Sequence, residues 1–330
     1  MDGSGPSRDA RPDRRGDGAT SGIGLITARA LSRVGAHVVL AVRNVDKGHA
    51  AARSMGDDTD VMPLDVSDQK SVRAFAGNWR GGLDVLINNA GIMQVPLSRT
   101  TEGYEMQLAT NYLGHFTLTN LLIPHIKDRV VTLSSQLHRR GRLDLEDLQW
   151  TRRTYDRTAA YCDSKLADLL FAIELQRRLA AAGSRIRSIA AHPGIATTTL
   201  AGFNRRMSGS LLGRVFLNDP EHGALPTLYA ASQDVAGGSY VGPDGIGGIK
   251  GHPKIGTPSR TARDADLAGR LWDATAELTG VGRSAQDEVG DTGVSAGERA
   301  GGGTGCAGLA EDVDGGGDAA VSPAVTGDPL

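Results

Sequence analysis

Gly18-Ala19-Thr20-Ser21-Gly22-Ile23-Gly24, running into Leu25-Ile26-Thr27-Ala28-Arg29-Ala30-Leu31, is the stretch whose reading decides the fold. Its glycines allow a sharp backbone turn, and the apolar spacing behind them is that of a helix. Next comes His37-Val38-Val39-Leu40-Ala41-Val42, a short β-branched run that reads as a buried strand. A helix N-terminus offers free N–H groups and the positive end of a dipole, and glycines let a pyrophosphate approach the backbone closely. Gly18, Ser21, Gly22, Ile23 and Gly24 are therefore candidate cofactor contacts. An ordinary glycine turn explains the same letters, so the loop needs support from the rest of the chain.

Working outward, the alternation continues. Val61-Met62-Pro63-Leu64, Leu83 to Asn88, Arg129 to Ser134 and Ile186 to Ala190 read as further strands, with helical patterns between them, notably Ala160 to Ala182. Strands alternating with helices imply an α/β fold: a doubly wound parallel sheet covered on both faces. Ligands in such sheets bind beyond the carboxyl ends of the strands. Residues 18–282 form one domain on this reading. Residues 1–17 lack periodicity and read as a disordered or aberrant N-terminus. Residues 283–330 are about a quarter glycine, acidic and nearly free of large apolar side chains. They read as a disordered tail.

Bulk properties narrow the function classes. A net charge of −2 gives no electrostatic case for nucleic acid. No stretch approaches the roughly 18 apolar residues of a spanning helix, and no signal peptide or membrane anchor is evident. Cys162 and Cys306 form neither a disulfide framework nor a zinc site, and the eight histidines show no metal-ligand spacing. The expectation is a soluble, cytoplasmic protein without a metal.

Three more features carry chemistry. Arg43 follows the strand after the glycine loop, where an acidic residue would bind a ribose 2′-hydroxyl. An arginine suits a 2′-phosphate, so NADP(H) is expected over NAD(H). Asn88-Asn89-Ala90-Gly91 puts small residues at a strand end, where a flat nucleoside can pack. Tyr161 and Lys165 share one helix face. A nearby ammonium favours ionisation of the phenol, and a tyrosine so tuned can exchange a proton with a carbonyl oxygen. Ser135, ending a strand upstream, could hydrogen-bond the same oxygen. Tyr-x-x-x-Lys alone is common; in this order with the glycine loop and Asn-Asn-Ala-Gly it is specific.

Together these residues resemble the short-chain dehydrogenase/reductases, from Gly18 to about Gly282. The resemblance implies a Rossmann-type sheet. Gly18 to Gly24 is similar to the family's glycine loop, except that Asp17 replaces a threonine. Asp65-Val66 matches the pair near the adenine, and Asn89, Ala90 and Gly91 belong to the Asn-Asn-Ala-Gly motif. Asn111 matches the asparagine that holds a proton-relay water. Ser135, Tyr161 and Lys165 match the catalytic triplet. Pro193-Gly194, with Thr198, matches the segment at the nicotinamide end. Ala160 to Ala167, and the spacing between Ser135 and Tyr161, look like the retinol dehydrogenase-like branch.

The resemblance implies hydride transfer between NADP(H) and a carbonyl or alcohol. Tyr161 would be the general acid or base and Ser135 would orient the oxygen. Lys165 would lower the Tyr161 pKa and hold the nicotinamide ribose, and Asn111 would link Lys165 to solvent. The partner is a small carbonyl or alcohol, lipophilic by the branch's habit, and family likeness implies a homo-oligomer. Leu200, Phe203, Met207, Leu211, Leu212, Val215 and Phe216 suit either a lid over such a substrate or ordinary core packing. His192 reads as structural, while His115 and His138 suggest no role. A degenerate, non-catalytic nucleotide or partner binder is the competing reading. A sugar-nucleotide epimerase is a weaker third, because only about 90 residues follow Pro193-Gly194 before the tail.

One segment breaks the pattern. A central parallel strand should precede the glycine loop, and Arg11-Pro12-Asp13-Arg14-Arg15-Gly16-Asp17 is far too polar to be one. One codon set for Pro12 to Asp17, CCG GAC CGC CGT GGT GAC, read one base later spells Arg-Thr-Ala-Val-Val. We therefore expect a reading-frame shift near Gly18, which resequencing of the locus decides.

Overall fold

The computed structural model describes residues 19–194 and 220–282, and the backbone of 323–326. In chain order the elements are α1 (Gly22–Arg33), β1 (Val38–Val42), α2 (Val45–Ala52), β2 (Thr59–Pro63), α3 (Gln69–Asn78) and β3 (Leu83–Asn88). Then come α4 (Met106–Leu108), a π-helical turn (Ala109–Leu113), α5 (Gly114–Leu122), β4 (Ile126–Leu133), α6 (Arg157–Ala181) and β5 (Arg187–Ala191). The remainder are α7 (Pro220–Ser232), β6 (Tyr240–Pro243), β7 (Pro253–Gly256), α8 (Ala265–Thr279) and β8 (Pro323–Thr326).

β1 shows why the sheet is covered on both faces. All five of its residues are buried. Successive side chains point to opposite faces. Val39 and Ala41 join one core, with Phe116, Phe171 and Trp272 of α5, α6 and α8. Val38, Leu40 and Val42 join the other, with Ile23, Leu31 and Ala230 of α1 and α7. A strand solvated on one face would have needed polar residues at alternate positions. The first core is anchored by aromatics: Phe116 meets Trp272 edge-on at 4.8 Å and Phe171 at 5.6 Å.

The sheet has eight strands in the order β2-β1-β8-β3-β4-β5-β6-β7. The pairings of β1 to β6 and β8 are parallel, and β7 pairs antiparallel with β6. The expected parallel sheet thus carries one antiparallel edge strand. From the middle, the chain winds outward through β1 and β2 on one side and through β3 to β6 on the other. The reversal lies between β1 and β3, and ligands bind at such a switch point.

β8 fills that switch point. Ala324 stands opposite Val39 and Leu86, Val325 opposite Leu40 and Ile87, and Thr326 opposite Ala41 and Asn88. The segment Arg11 to Asp17, where a first strand was expected to be missing, lies outside the described residues. Within the tail, residues 323–326 contribute a strand. Of its four residues only Val325 and Thr326 favour strands, so composition averaged over the tail hides it. The physical reason for their recruitment is that β1 and β3 would otherwise each expose an unpaired ladder in the middle of the protein.

Candidate active site

α1 leads into β1 after a short turn, so it runs antiparallel to the strands and its N-terminus lies at their carboxyl edge. Ser21 is the N-cap residue, and Gly22, the first helical residue, has φ +56°, in the left-handed region that favours glycine. Ala19, Ile23 and Gly24 are buried beneath the loop. Gly18 lies outside the described residues. The half-buried Arg43 follows the carboxyl end of β1. Asn44 beside it caps α2, its side chain accepting from Lys47 N–H at 3.0 Å.

The loop after β2 is fixed by its own side chains. Asp65 Oδ1 accepts from the Ser67 N–H at 2.9 Å and hydroxyl at 2.6 Å. Val66 is buried, and Gly114 passes against its carbonyl so closely that a Cβ there would overlap the oxygen. After β3, Asn88 turns inward and donates to Thr119 Oγ1 at 2.9 Å. This leaves Asn89, Ala90 and Gly91 at the strand's carboxyl end.

Gly91 joins this edge to the reactive groups. A Cβ at Gly91 would lie 3.4 Å from both Asn111 Oδ1 and Lys165 Nζ. The chain therefore offers a flat floor beside an ammonium, which fits a planar ring and its ribose. Asn111 lies on the π-helical turn, a feature that recurs at functional sites. Its Oδ1 accepts from Ile92 N–H at 2.7 Å, and its Nδ2 donates to Ile92 O at 3.0 Å and Ser164 Oγ at 2.8 Å. Its backbone oxygen accepts from His115 Nδ1 at 2.8 Å. Asn111 thus pins the β3 loop to α6, and these bonds do not reach Lys165.

α6 starts at a strong cap: Asp156 Oδ1 accepts from Thr158 and Ala159 N–H, both at 2.8 Å. This delivers Tyr161 to the end of β4, where the Ser135 hydroxyl lies close enough to favour its ionised form. Burial raises the Tyr161 pKa, while the Lys165 charge and the Ser135 hydroxyl pull it down without cancelling the rise. The expectation of a lowered phenol holds for the direction of the Lys165 pull, but desolvation wins here. Lys165 Nζ donates to Leu133 O at 2.9 Å and to Asp168 Oδ2 at 2.8 Å. Ser134 Oγ donates to the Lys165 carbonyl at 2.7 Å, riveting α6 to β4.

The two histidines without an expected role, His115 and His138, are both buried braces. His138 Nδ1 donates to the Ser135 carbonyl at 2.7 Å, and its Nε2 accepts from Ser259 N–H at 3.1 Å. Burial lowers its pKa, keeping the neutral ring that this pattern requires. His192 is structural as expected. It stacks on Tyr240 at 5.0 Å, accepts from Gly194 N–H at 3.2 Å, and is pushed down to about 3 by burial. It thereby places Pro193-Gly194, with Gly194 at φ +73°, beyond the end of β5. Thr198 and the apolar residues Leu200 to Phe216 lie outside the described residues. A cavity of about 630 Å³ opens beside Ser135, lined in part by Gln136, Arg139, His192, Tyr240, Lys254 and Ile255.

Ser135, Tyr161, Lys165, Asn111 and Gly91 are thus brought to one place, while Arg43, Asp65 and Pro193-Gly194 lie in loops along the same edge. Sequence reasoning missed Asp168, His138 and Ser134. Only Asp168 had a readable signal, its position one turn beyond Lys165 on the same helix. Among the described residues there is no metal-binding cluster, and no helix is long and apolar enough to cross a membrane.

A doubly wound sheet with a glycine loop and a tyrosine–lysine pair at its switch point defines a dinucleotide-dependent oxidoreductase. The chain belongs to the short-chain dehydrogenase family, whose description, short chain dehydrogenase, matches residues 17–208. It is 38% identical over 286 residues to retinol dehydrogenase 13 of Homo sapiens, covering 80% of this chain and 83% of that one. It is 39% identical over 293 residues to polyprenol dehydrogenase of Mus musculus, covering 82% and 85%. A crystal structure of an uncharacterized protein from Mycobacterium Paratuberculosis is 50% identical, with a TM-score of 0.71 and coverage of 80% of this chain and 91% of that one. The retinol dehydrogenase-like resemblance holds, and the protein is an oxidoreductase of CH–OH groups. The family implies a nicotinamide cofactor.

Proposed function

We propose that the chain is an NADP-dependent reductase and dehydrogenase that interconverts a lipophilic aldehyde or ketone with its alcohol. The meeting of Ser135, Tyr161 and Lys165 beside the Gly91 floor carries the reading. When bound, the reduced nicotinamide supplies hydride to the carbonyl carbon. Tyr161 gives its hydroxyl proton to the carbonyl oxygen, and Ser135 orients that oxygen through its own hydroxyl. Lys165 offers its ammonium to the cofactor ribose beside Gly91 and favours the phenolate left behind. Burial keeps the Tyr161 phenol protonated at neutral pH, so reduction suits neutral pH. Oxidation, which needs the phenolate, rises with pH.

Arg43 supports the preference for NADP(H). The relatives named for retinol and polyprenol support a lipophilic substrate. A cytoplasmic setting and a homo-oligomer belong to the same proposal. A non-catalytic nucleotide binder would be favoured by the polar Arg11–Asp17 segment; the assembled Ser135, Tyr161 and Lys165 weigh against it. The test is fluorescence titration with NADPH and NADH, followed by turnover of lipophilic carbonyls. NADPH should bind the tighter, and Tyr161→Phe should lose about 10²-fold or more in turnover while keeping NADPH affinity. Equal affinity for the two cofactors would remove the NADP assignment. Unchanged turnover in the variant would remove the mechanism.

A further inference from the structure

Beneath Lys165 lies a carboxylate that the proposed chemistry does not use. Tyr161, Lys165 and Asp168 follow one another at four and then three residues, a single stripe along α6. Asp168 is completely buried. Its Oδ2 accepts from Lys165 Nζ at 2.8 Å, and its Oδ1 has no hydrogen-bond partner among the described residues. A fully buried carboxylate with one oxygen left over is costly, so its place is poorly explained by stability alone. Lys165 has three ammonium protons. One goes to Asp168 and one to the Leu133 carbonyl. The Nζ is thereby held at the carboxyl end of β4, next to Gly91.

The groups around this pair come from two elements. On α6 itself are Lys165 and Tyr161; burial pushes Asp168 up to about 7 against the pull of Lys165, and the Asp168 charge works against ionisation of Tyr161 while the Lys165 charge works for it. From the helical stretch across the core come Tyr112 and His115. Tyr112 feels the Asp168 charge, and its hydroxyl is engaged with Thr275 Oγ1 at 2.8 Å. His115 feels the Lys165 charge and is kept neutral, first by burial and then by that charge.

We propose that Asp168 is the positioning residue for Lys165: it anchors the ammonium at the end of β4 and sets how much of its charge reaches the Tyr161 hydroxyl. The proposal rests on the reading of Tyr161 and Lys165 as the proton-handling pair. With Asp168 ionised, the ammonium is partly balanced and Tyr161 stays a hydroxyl, suited to donating. With that negative charge gone, the full ammonium acts on the phenol and Tyr161 ionises more easily.

Asp168→Asn keeps the side-chain shape and an acceptor for Lys165 but removes the charge. Tyrosinate formation is followed by difference absorbance against pH in the full chain, with the Tyr161 contribution assigned by subtracting Tyr161→Phe in each background. The Tyr161 midpoint should move to lower pH by about one unit in Asp168→Asn, and should stay near the wild-type value in Asp168→Glu. The limb of the kcat/KM profile governed by Tyr161 should move the same way with KM little changed. A folded Asp168→Asn whose Tyr161 midpoint does not move overturns the proposal. So does a uniform loss of kcat at every pH with an unmoved limb, the mark of a merely structural residue. If Asp168→Asn does not fold, Asp168→Ser, also neutral and smaller, reads the same shift. Absence of turnover in the wild type would sink the proposed function, whereas the absorbance titration decides the Asp168 assignment without turnover.

Discussion

Two aspartates, Asp147 in the loop that links Ser135 to α6 and Asp163 on α6 itself, show how local bonding decides charge. Both approach Arg153, at 3.4 Å and 3.5 Å, yet they are pushed in opposite directions. Burial pushes Asp147 up, but N–H groups of Thr151, Arg152 and Arg153 and the Thr151 hydroxyl outweigh it and pull it down to about 2. Asp163 is pushed up to about 6, chiefly by burial, against one backbone N–H from Arg142 and a weak hold by Arg153. The sign of each contribution to stability follows. Asp147 stabilises the fold above its unfolded pKa near 4, and this is lost as pH falls toward 2. Asp163 costs stability as pH rises from about 4 to 6, and the cost stays constant above that. Urea unfolding at pH 7 should therefore show Asp147→Asn destabilised by about 1–3 kcal/mol and Asp163→Asn stabilised by about 1–3 kcal/mol. At pH 4 the Asp163→Asn gain should shrink; a gain of equal size there would contradict the assignment. Neither role was legible in the sequence, because hydrogen bonds to a loop aspartate leave no periodic pattern. Tyr161 and Lys165 were legible because a helix turns a spacing of four into adjacency.

At the scale of elements, β1 stood out as an uninterrupted apolar run, β3, β4 and β5 as apolar runs broken by a few polar residues, and the long helix α6 by its helical periodicity. The π-helical turn at Ala109–Leu113 was not legible, since it differs from an α-helix by one hydrogen-bond step rather than by residue type. Its consequence is visible at Gly114, which opens α5 and crosses the loop after β2 at the Val66 carbonyl. Contact there depends on the absence of a side chain. Gly114→Ala should push α5 away from Asp65-Val66, lowering stability by about 1–3 kcal/mol and weakening NADPH binding along with it. Thermal unfolding with and without NADPH checks this. A variant of unchanged stability and cofactor affinity would mean that the loop after β2 yields freely, and that α5 does not position it.

At the scale of the whole molecule, the sheet is completed by the end of the chain farthest from the glycine loop. The local sequence announced a missing strand, but it could not say that residues some 300 positions away would occupy the slot, because strand pairing is long-range and a four-residue piece carries little pattern of its own. β8 pairs on both sides, with β1 and with β3, so its removal would leave two unpaired ladders at the switch point where α1 begins. Backbone groups in that position have no water to turn to. The loss should be of the order of the whole stability of an ordinary domain, about 5–15 kcal/mol. A chain ending at Val321 should therefore lose cooperative unfolding by circular dichroism and lose NADPH binding. Val325→Pro, which removes one ladder N–H and otherwise leaves the chain entire, should lower the urea midpoint substantially. A synthetic peptide spanning residues 320–329 should restore both signals to the truncated chain in proportion to its concentration, since a strand that binds only the folded state stabilises it by mass action. A truncated chain that unfolds and binds NADPH as the full chain does would show that the centre of the sheet closes without β8, and the strand would then be an ornament of the fold rather than its keystone.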